Sequence, residues 1–235
     1  MPLPKIAVPQ YDLKLPVTGS TIKYRPFLVK EEKILLMAME SQNEKEIVNA
    51  MKTIIKNCTT LRKKVEDLPT FEIEYIFLKI RSRSVGEVSK VNITCPDDGE
   101  TQVETEIDLN AIQVTIPEDH EKQIMLTDTI GLTMRYPSLD MFVKDNFNLR
   151  NVSAETAFDL TADCIESVFE GEDVTEDASK KEKLEFLDHL SNAQFAKIQK
   201  FFDTMPKLSQ TITVKNPNTD VESEVVIEGL AAFFE

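Results

Sequence analysis

A β-hairpin is written twice in this chain, and that repetition constrains the fold more than any other feature. The first copy is VNITCPDDGETQVETEIDL, from Val91 to Leu109; the second is TITVKNPNTDVESEVVIEGL, from Thr211 to Leu230. Each alternates apolar and polar residues on both sides of a short turn that opens with Cys-Pro or Asn-Pro, the sequence form of a hairpin. The layout is that of a zinc-ribbon knuckle, where Cys-x-x-Cys occupies the turn. A structural zinc needs four Cys or His ligands, normally arriving in close pairs. Cys95 has no such neighbour, the second hairpin has no Cys or His, and His120 and His189 lie far apart in sequence. The expectation is two zinc-ribbon-like hairpins with the metal ligands largely lost, no metal site and no cofactor.

The rest reads as helices with a few strands. Thr21–Leu28 looks like a short strand. Helices are predicted near 30–41, 44–57 and 71–83, the third apolar almost all round and so the most buried. Ile112–Ile116 reads as a short strand, and Glu121–Tyr136 as a further hairpin. Helices follow from Ser138 to Val143, from Ala154 to Phe169, from Lys181 to Asp188 and from Ala193 to Asp203. The predicted class is α+β: a mostly helical body, the two hairpins and an extended N-terminal arm. The expected divisions are 1–20 (arm), 21–136 (helices plus hairpin) and 137–235 (helices closing in a hairpin).

Composition bears on function. The formal net charge is −14, and such a surface repels phosphates and anionic lipid, so neither nucleic acid nor membrane is an expected partner. No apolar run is long enough to span a bilayer, and the N-terminus lacks a signal-peptide pattern. Cys58, Cys95 and Cys164 form no paired spacing, which fits a reducing cytoplasm. The motifs of nucleotide loops, zinc hydrolases and serine hydrolases are missing. A cysteine-dependent hydrolase using Cys58 or Cys164 is the enzymatic rival; a zinc-ribbon adaptor is the other. The carboxylates around Glu170–Asp177 read as a solvated loop. The basic stretches Leu61–Val65 and Arg81–Arg83 are expected to pair with neighbouring carboxylates or flank a helix end.

Partner surfaces are the better prospect. Pro2, Pro4, Pro9 and Pro16 favour an extended arm, yet Tyr11, Leu13 and Leu15 punctuate it with apolar side chains. Such a segment lies on a surface, its own or a partner's, and would suit strand addition to a sheet edge. Phe233 and Phe234 place two aromatics at the C-terminus, either folded back or docked on another chain. These five residues are the candidate partner contacts.

The ordered block from Tyr24 to Gly99 resembles a known family. TIKYRPFLVKEEKILLMAMES, IVNAMKTIIKNCT, LPTFEIEYIFLKIRSRSVGE and VNITCPDDG, with EGLAAFF near the end, are similar to baseplate hub proteins of T4-like contractile-tailed phages. The resemblance implies Cys-Pro-x-Cys in the hairpin turns of some relatives. Here those positions read Cys95-Pro96-Asp97-Asp98 and Asn216-Pro217-Asn218-Thr219. It implies a late, virus-encoded, non-enzymatic protein acting in hub and tail assembly by protein–protein interaction. A built-in virion subunit and an assembly chaperone in the host cytoplasm both fit. Other hub and tail proteins are the implied partners, and a homo-oligomer is left open.

Overall fold

The structure, a computed structural model, describes residues 6–139, 141 and 154–229. Two compact units emerge: Met1–Thr115 with Lys207–Glu235, and Ile116–Pro206 between them. The boundary expected near residue 136 falls inside the second unit.

The first unit begins with strands β1 (Tyr11–Lys14) and β2 (Thr21–Tyr24), paired antiparallel. Helices α1 (Val29–Glu40), α2 (Glu44–Cys58) and α3 (Thr70–Val85) follow, with a 3-10 turn at Val65–Asp67. The start of α1 is fixed by Glu31, whose buried carboxylate accepts the Leu28 N–H at 2.9 Å and meets Arg25 at 3.1 Å. Asn43 caps α2 by accepting the Lys45 N–H. As expected, α3 is buried nearly all round: Ile73, Ile76, Leu78 and Ile80 are fully enclosed. Strands β3 (Val88–Thr94) and β4 (Gln102–Asp108) form the first hairpin. Strand β5 (Gln113–Thr115) pairs with a strand near the chain end, described below, in the same unit.

In the second unit β6 (Gln123–Met125) and β7 (Ile130–Met134) form the hairpin expected over 121–136. Helix α4 (Ala154–Cys164) runs directly into β8 (Ile165–Glu170), which pairs with β7 and with β9 (Asp173–Thr175). Helices α5 (Lys180–Asp188) and α6 (Asn192–Asp203) each start with a reciprocal cap, Ser179 with Glu182 and Ser191 with Gln194. Leu132, Met134, Ala162, Cys164, Ile165 and Ile198 form the centre of this core. His120 joins it, bonded to Tyr136 Oη at 2.9 Å and Thr204 Oγ1 at 3.0 Å beside the Phe201 ring.

Gly131 shows how tightly the sheet packs. A Cβ there would lie 2.3 Å from Phe169 Cζ and 2.8 Å from the Ile124 carbonyl oxygen. Phe169 is its cross-strand partner, so the missing side chain makes room for that ring. Gly131→Ala is expected to destabilise the second unit by about 2 kcal/mol, the usual scale of overpacking. Amide hydrogen exchange in β7 and β8 is the check; unchanged protection would show that Phe169 swings aside without cost.

The chain then returns to the first unit with β10 (Lys207–Lys215) and β11 (Glu222–Glu228), the second hairpin. β10 also pairs with β5, giving the order β11-β10-β5.

This architecture corrects the expected fold class. Strand is 29% and helix 37%, with eleven strands in four small sheets among the described residues. The body is therefore not mostly helical. Two segments account for much of the difference. The N-terminal arm is not extended beyond its own body: Tyr11–Tyr24 is a hairpin. The helix expected over 154–169 ends at Cys164, because Ile165, Ser167 and Phe169 alternate with Glu166, Val168 and Glu170 and complete a sheet with β7. Apolar residues at 165, 168 and 169 satisfy either period, and the available sheet edge decides. The helix expected at Ser138–Val143 lies largely outside the described residues.

Candidate functional site

The hairpin turns converge on one geometry, and it occurs three times. In Leu15–Gly19, Cys95–Gly99 and Asn216–Asp220 a proline stands second. The first residue's carbonyl accepts the fifth residue's N–H, at 3.0, 2.9 and 2.9 Å respectively. The fifth residue sits at positive φ: Gly19 at 65°, Gly99 at 69° and Asp220 at 63°. That region favours Gly and tolerates Asp. The first residue's own N–H closes the strand pair, to Ser20, Thr101 and Val221. Leu15, Cys95 and Asn216 are each only 1% exposed. The turn thus drives its leading side chain inward whatever that side chain is. In the first copy the surrounding prolines favour an arm and mask the turn. Its Pro16-Val17-Thr18-Gly19 spacing, shared with Pro96-Asp97-Asp98-Gly99, was the available signal.

The second and third turns face each other, 119 residues apart, and form a clasp. Asn216 Nδ2 donates to Asp97 Oδ1 at 3.1 Å, Asp97 Oδ2 at 3.0 Å and Asp98 Oδ2 at 2.8 Å. Thr219 Oγ1 donates to Asp97, and Asn218 Nδ2 to Thr101 Oγ1 at 2.9 Å. Asp98 also accepts the Thr101 hydroxyl and the N–H groups of Thr101 and Glu100. These bonds, Thr101's first, hold the Asp98 carboxyl far below the usual carboxylate range. Asp97 is lowered too, chiefly by Thr219 and then Asn216. In the first turn Glu72 does comparable work: its Oε1 accepts the Val17 and Thr18 N–H groups, both at 3.2 Å.

The zinc-ribbon description therefore needs correction. The hairpins are real, but no cluster of three or more His, Cys, Asp or Glu fit to hold a metal occurs among the described residues. Where knuckle ligands would stand, amide and hydroxyl donors meet carboxylates. A side-chain hydrogen-bond network joins the turns.

The cysteines proposed for the enzymatic rival are poorly suited to attack. Cys58 and Cys164 are buried, and burial pushes their thiols up to about 11 and about 12. A nucleophilic cysteine needs the opposite shift. Cys95 is raised as well, first by desolvation and then by Asp97 and Asp98.

Of the expected partner contacts, the structure places three in or beside the β1–β2 hairpin. Tyr11 is half-buried, its ring 5.5 Å from Tyr24 and under the Arg83 guanidinium at 4.9 Å. Leu13 and Leu15 are buried in the protein's own first unit. Phe233 and Phe234 lie outside the described residues. No described helix is long and apolar enough to cross a membrane.

Comparison with known proteins gives one family. Its model, described as T4 bacteriophage base plate protein, matches residues 8–235. No curated protein and no solved structure matches.

Proposed function

Because this chain belongs to the family of T4 bacteriophage base plate proteins, we propose that it acts at the baseplate hub, in hub and tail assembly, through contacts with other tail proteins and without catalysis. The match over residues 8–235, nearly the whole chain, carries this reading. The raised thiols of Cys58 and Cys164 support it against a cysteine hydrolase.

The proposed contacts are the β1 edge and the C-terminal Phe233–Phe234 segment. β1 pairs with β2 and with no other described strand, so its second edge is available to a partner strand. Tyr11, Leu13 and Leu15 share one face; the half-buried Tyr11 is the one left open to a partner, while Leu13 and Leu15 anchor the strand to its own unit. Affinity purification from infected cells, run beside a protein inventory of purified virions, is the test. Hub proteins are expected to co-purify. Presence in virions at fixed copy number makes the protein a structural subunit; absence makes it an assembly chaperone. Recovery without any tail protein overturns the proposal.

A further inference from the structure

The basic stretch Leu61–Val65 does not behave as its acidic surroundings suggest. Lys23, Lys56, Arg62, Lys63 and Lys64 make no ion pair among the described residues, in a chain with 41 carboxylates against 27 Lys and Arg. Arg62, Lys63 and Lys64 are exposed. They stand on a ridge between two grooves of the first unit. One groove, about 570 Å³, has Leu15, Ile22, Leu61 and Leu68 in its walls, with Lys23, Arg62 and Lys63 among the polar lining. The other, about 500 Å³, is lined by Lys52 and Lys56 of α2 and again by Arg62, Lys63 and Lys64. Each groove contains one carboxylate, Asp12 in the first and Glu66 in the second.

We propose that this ridge docks an acidic segment of a partner polypeptide, with an apolar residue at its centre and carboxylates on either side. The inference rests on the first unit alone and stands apart from the hub reading. Cations left without protein counter-charges, gathered on one face, form a complementary surface for an anionic partner. The partner is a polypeptide rather than a nucleic acid for two reasons. A phosphate backbone offers nothing to the partly exposed Leu61, which lines both grooves, whereas an apolar peptide side chain can pack against it. A duplex reaching past the ridge would also bring its phosphates against a protein whose net charge is −14. A short acidic segment avoids that repulsion.

The test uses the full chain and a fluorescent synthetic peptide of Glu and Asp flanking a central Leu-Phe pair, with binding read by anisotropy. Saturable binding is expected, weakened about tenfold when salt rises from about 50 to about 300 mM. Arg62→Glu with Lys63→Glu should abolish it. Arg62→Gln should weaken it partially, and Lys180→Glu with Lys181→Glu should leave it intact. The substituted side chains are exposed, and unchanged circular dichroism and hydrogen exchange would confirm folding. Four results overturn the proposal: no binding; equal binding by the charge-reversed variant; a DNA oligonucleotide bound more tightly than the peptide; or light scattering that shows self-association abolished by the same reversal, which would make a second copy the occupant.

Discussion

Lys79→Met should destabilise the first unit by about 4 kcal/mol at pH 7, the largest loss expected from any single change here. Lys79 comes from the buried helix α3 and is only 6% exposed. Its Nζ donates to three carbonyl oxygens: Asn110 at 2.8 Å, Ile112 at 3.0 Å and Leu109 at 3.3 Å. That one group satisfies the turn linking β4 to β5. Methionine fills the volume but donates nothing, leaving three acceptors unpaired. The group also carries a pH signature. Burial pulls the ammonium down to about 8, against the partial opposition of Asp108. The folded value lies below the unfolded one of about 10.4, so between these pH values the unfolded chain holds more protons and stability rises with pH. A neutral amine still donates two hydrogen bonds. The gap between wild type and Lys79→Met should therefore widen from pH 8 to pH 10. Denaturation followed by hydrogen exchange in β3 and β10 measures it; a gap that narrows would mean the turn holds the positive charge more strongly than burial repels it.

Asn216→Leu should cost about 3 kcal/mol, because it removes a buried donor and leaves carboxylates facing an apolar side chain. Asn216 is the one clasp residue fully out of solvent, and its amide serves three carboxylate oxygens. Asp97→Ala alone should also destabilise, yet add little to Asn216→Leu, since both break the same network. Acid should act similarly. Asp97 and Asp98 have folded values below the unfolded one of about 3.9, so their contribution is present above that pH and is lost as pH falls beneath it. The gap between wild type and Asn216→Leu should hold from pH 7 to pH 5 and shrink below about pH 4. Additive losses in the double variant would show that the turns do not act as one clasp. Hydrogen exchange is preferable to a melting midpoint, because a chain of two units has no single one.

Much of the local structure was legible. Alternation located both large hairpins, and helical periodicity located most helices, whose caps at Asn43, Ser179 and Ser191 the structure supplies. The failures share a cause: a neighbour distant in sequence settled an ambiguous segment. Residues 11–24 became a hairpin in a proline-rich stretch, with Glu72 of α3 accepting from its turn. Ile165–Glu170 became a strand because β7 offered an edge. The clasp was half legible. The two turns align in the sequence, and both lack the second cysteine of a knuckle. That Asn216 would meet Asp97 and Asp98 needed the third dimension, since no local rule pairs residues 119 apart. With the zinc ligands lost, the strand ladder and packing alone are expected to hold each hairpin; the structure adds polar contacts between the turns. Of the two roles expected for Leu61–Val65, the segment does flank a helix end, between α2 and the 3-10 turn; where the carboxylates point, which decides the other, no count of them reveals.

The placement of the second unit between β5 and β10 has a temporal consequence. Lys207 and Thr115 are partners across that strand pair, so the first unit is interrupted at adjacent backbone positions. A ribosome makes residues 116–206 before the strands that finish the first unit exist. During synthesis the earlier hairpin, with Asp97 and Asp98 ready, must wait for Asn216. The inserted segment can fold on emergence, as domains do, whereas the surrounding one is a late joiner whose β5–β10 pairing closes the longest loop of any strand pair among the described residues. A nascent chain stalled anywhere before Lys207 therefore exposes the edge of β5 and an unclosed clasp. That leaves an unfinished molecule with a surface the mature one hides, which chaperones or proteases can recognise.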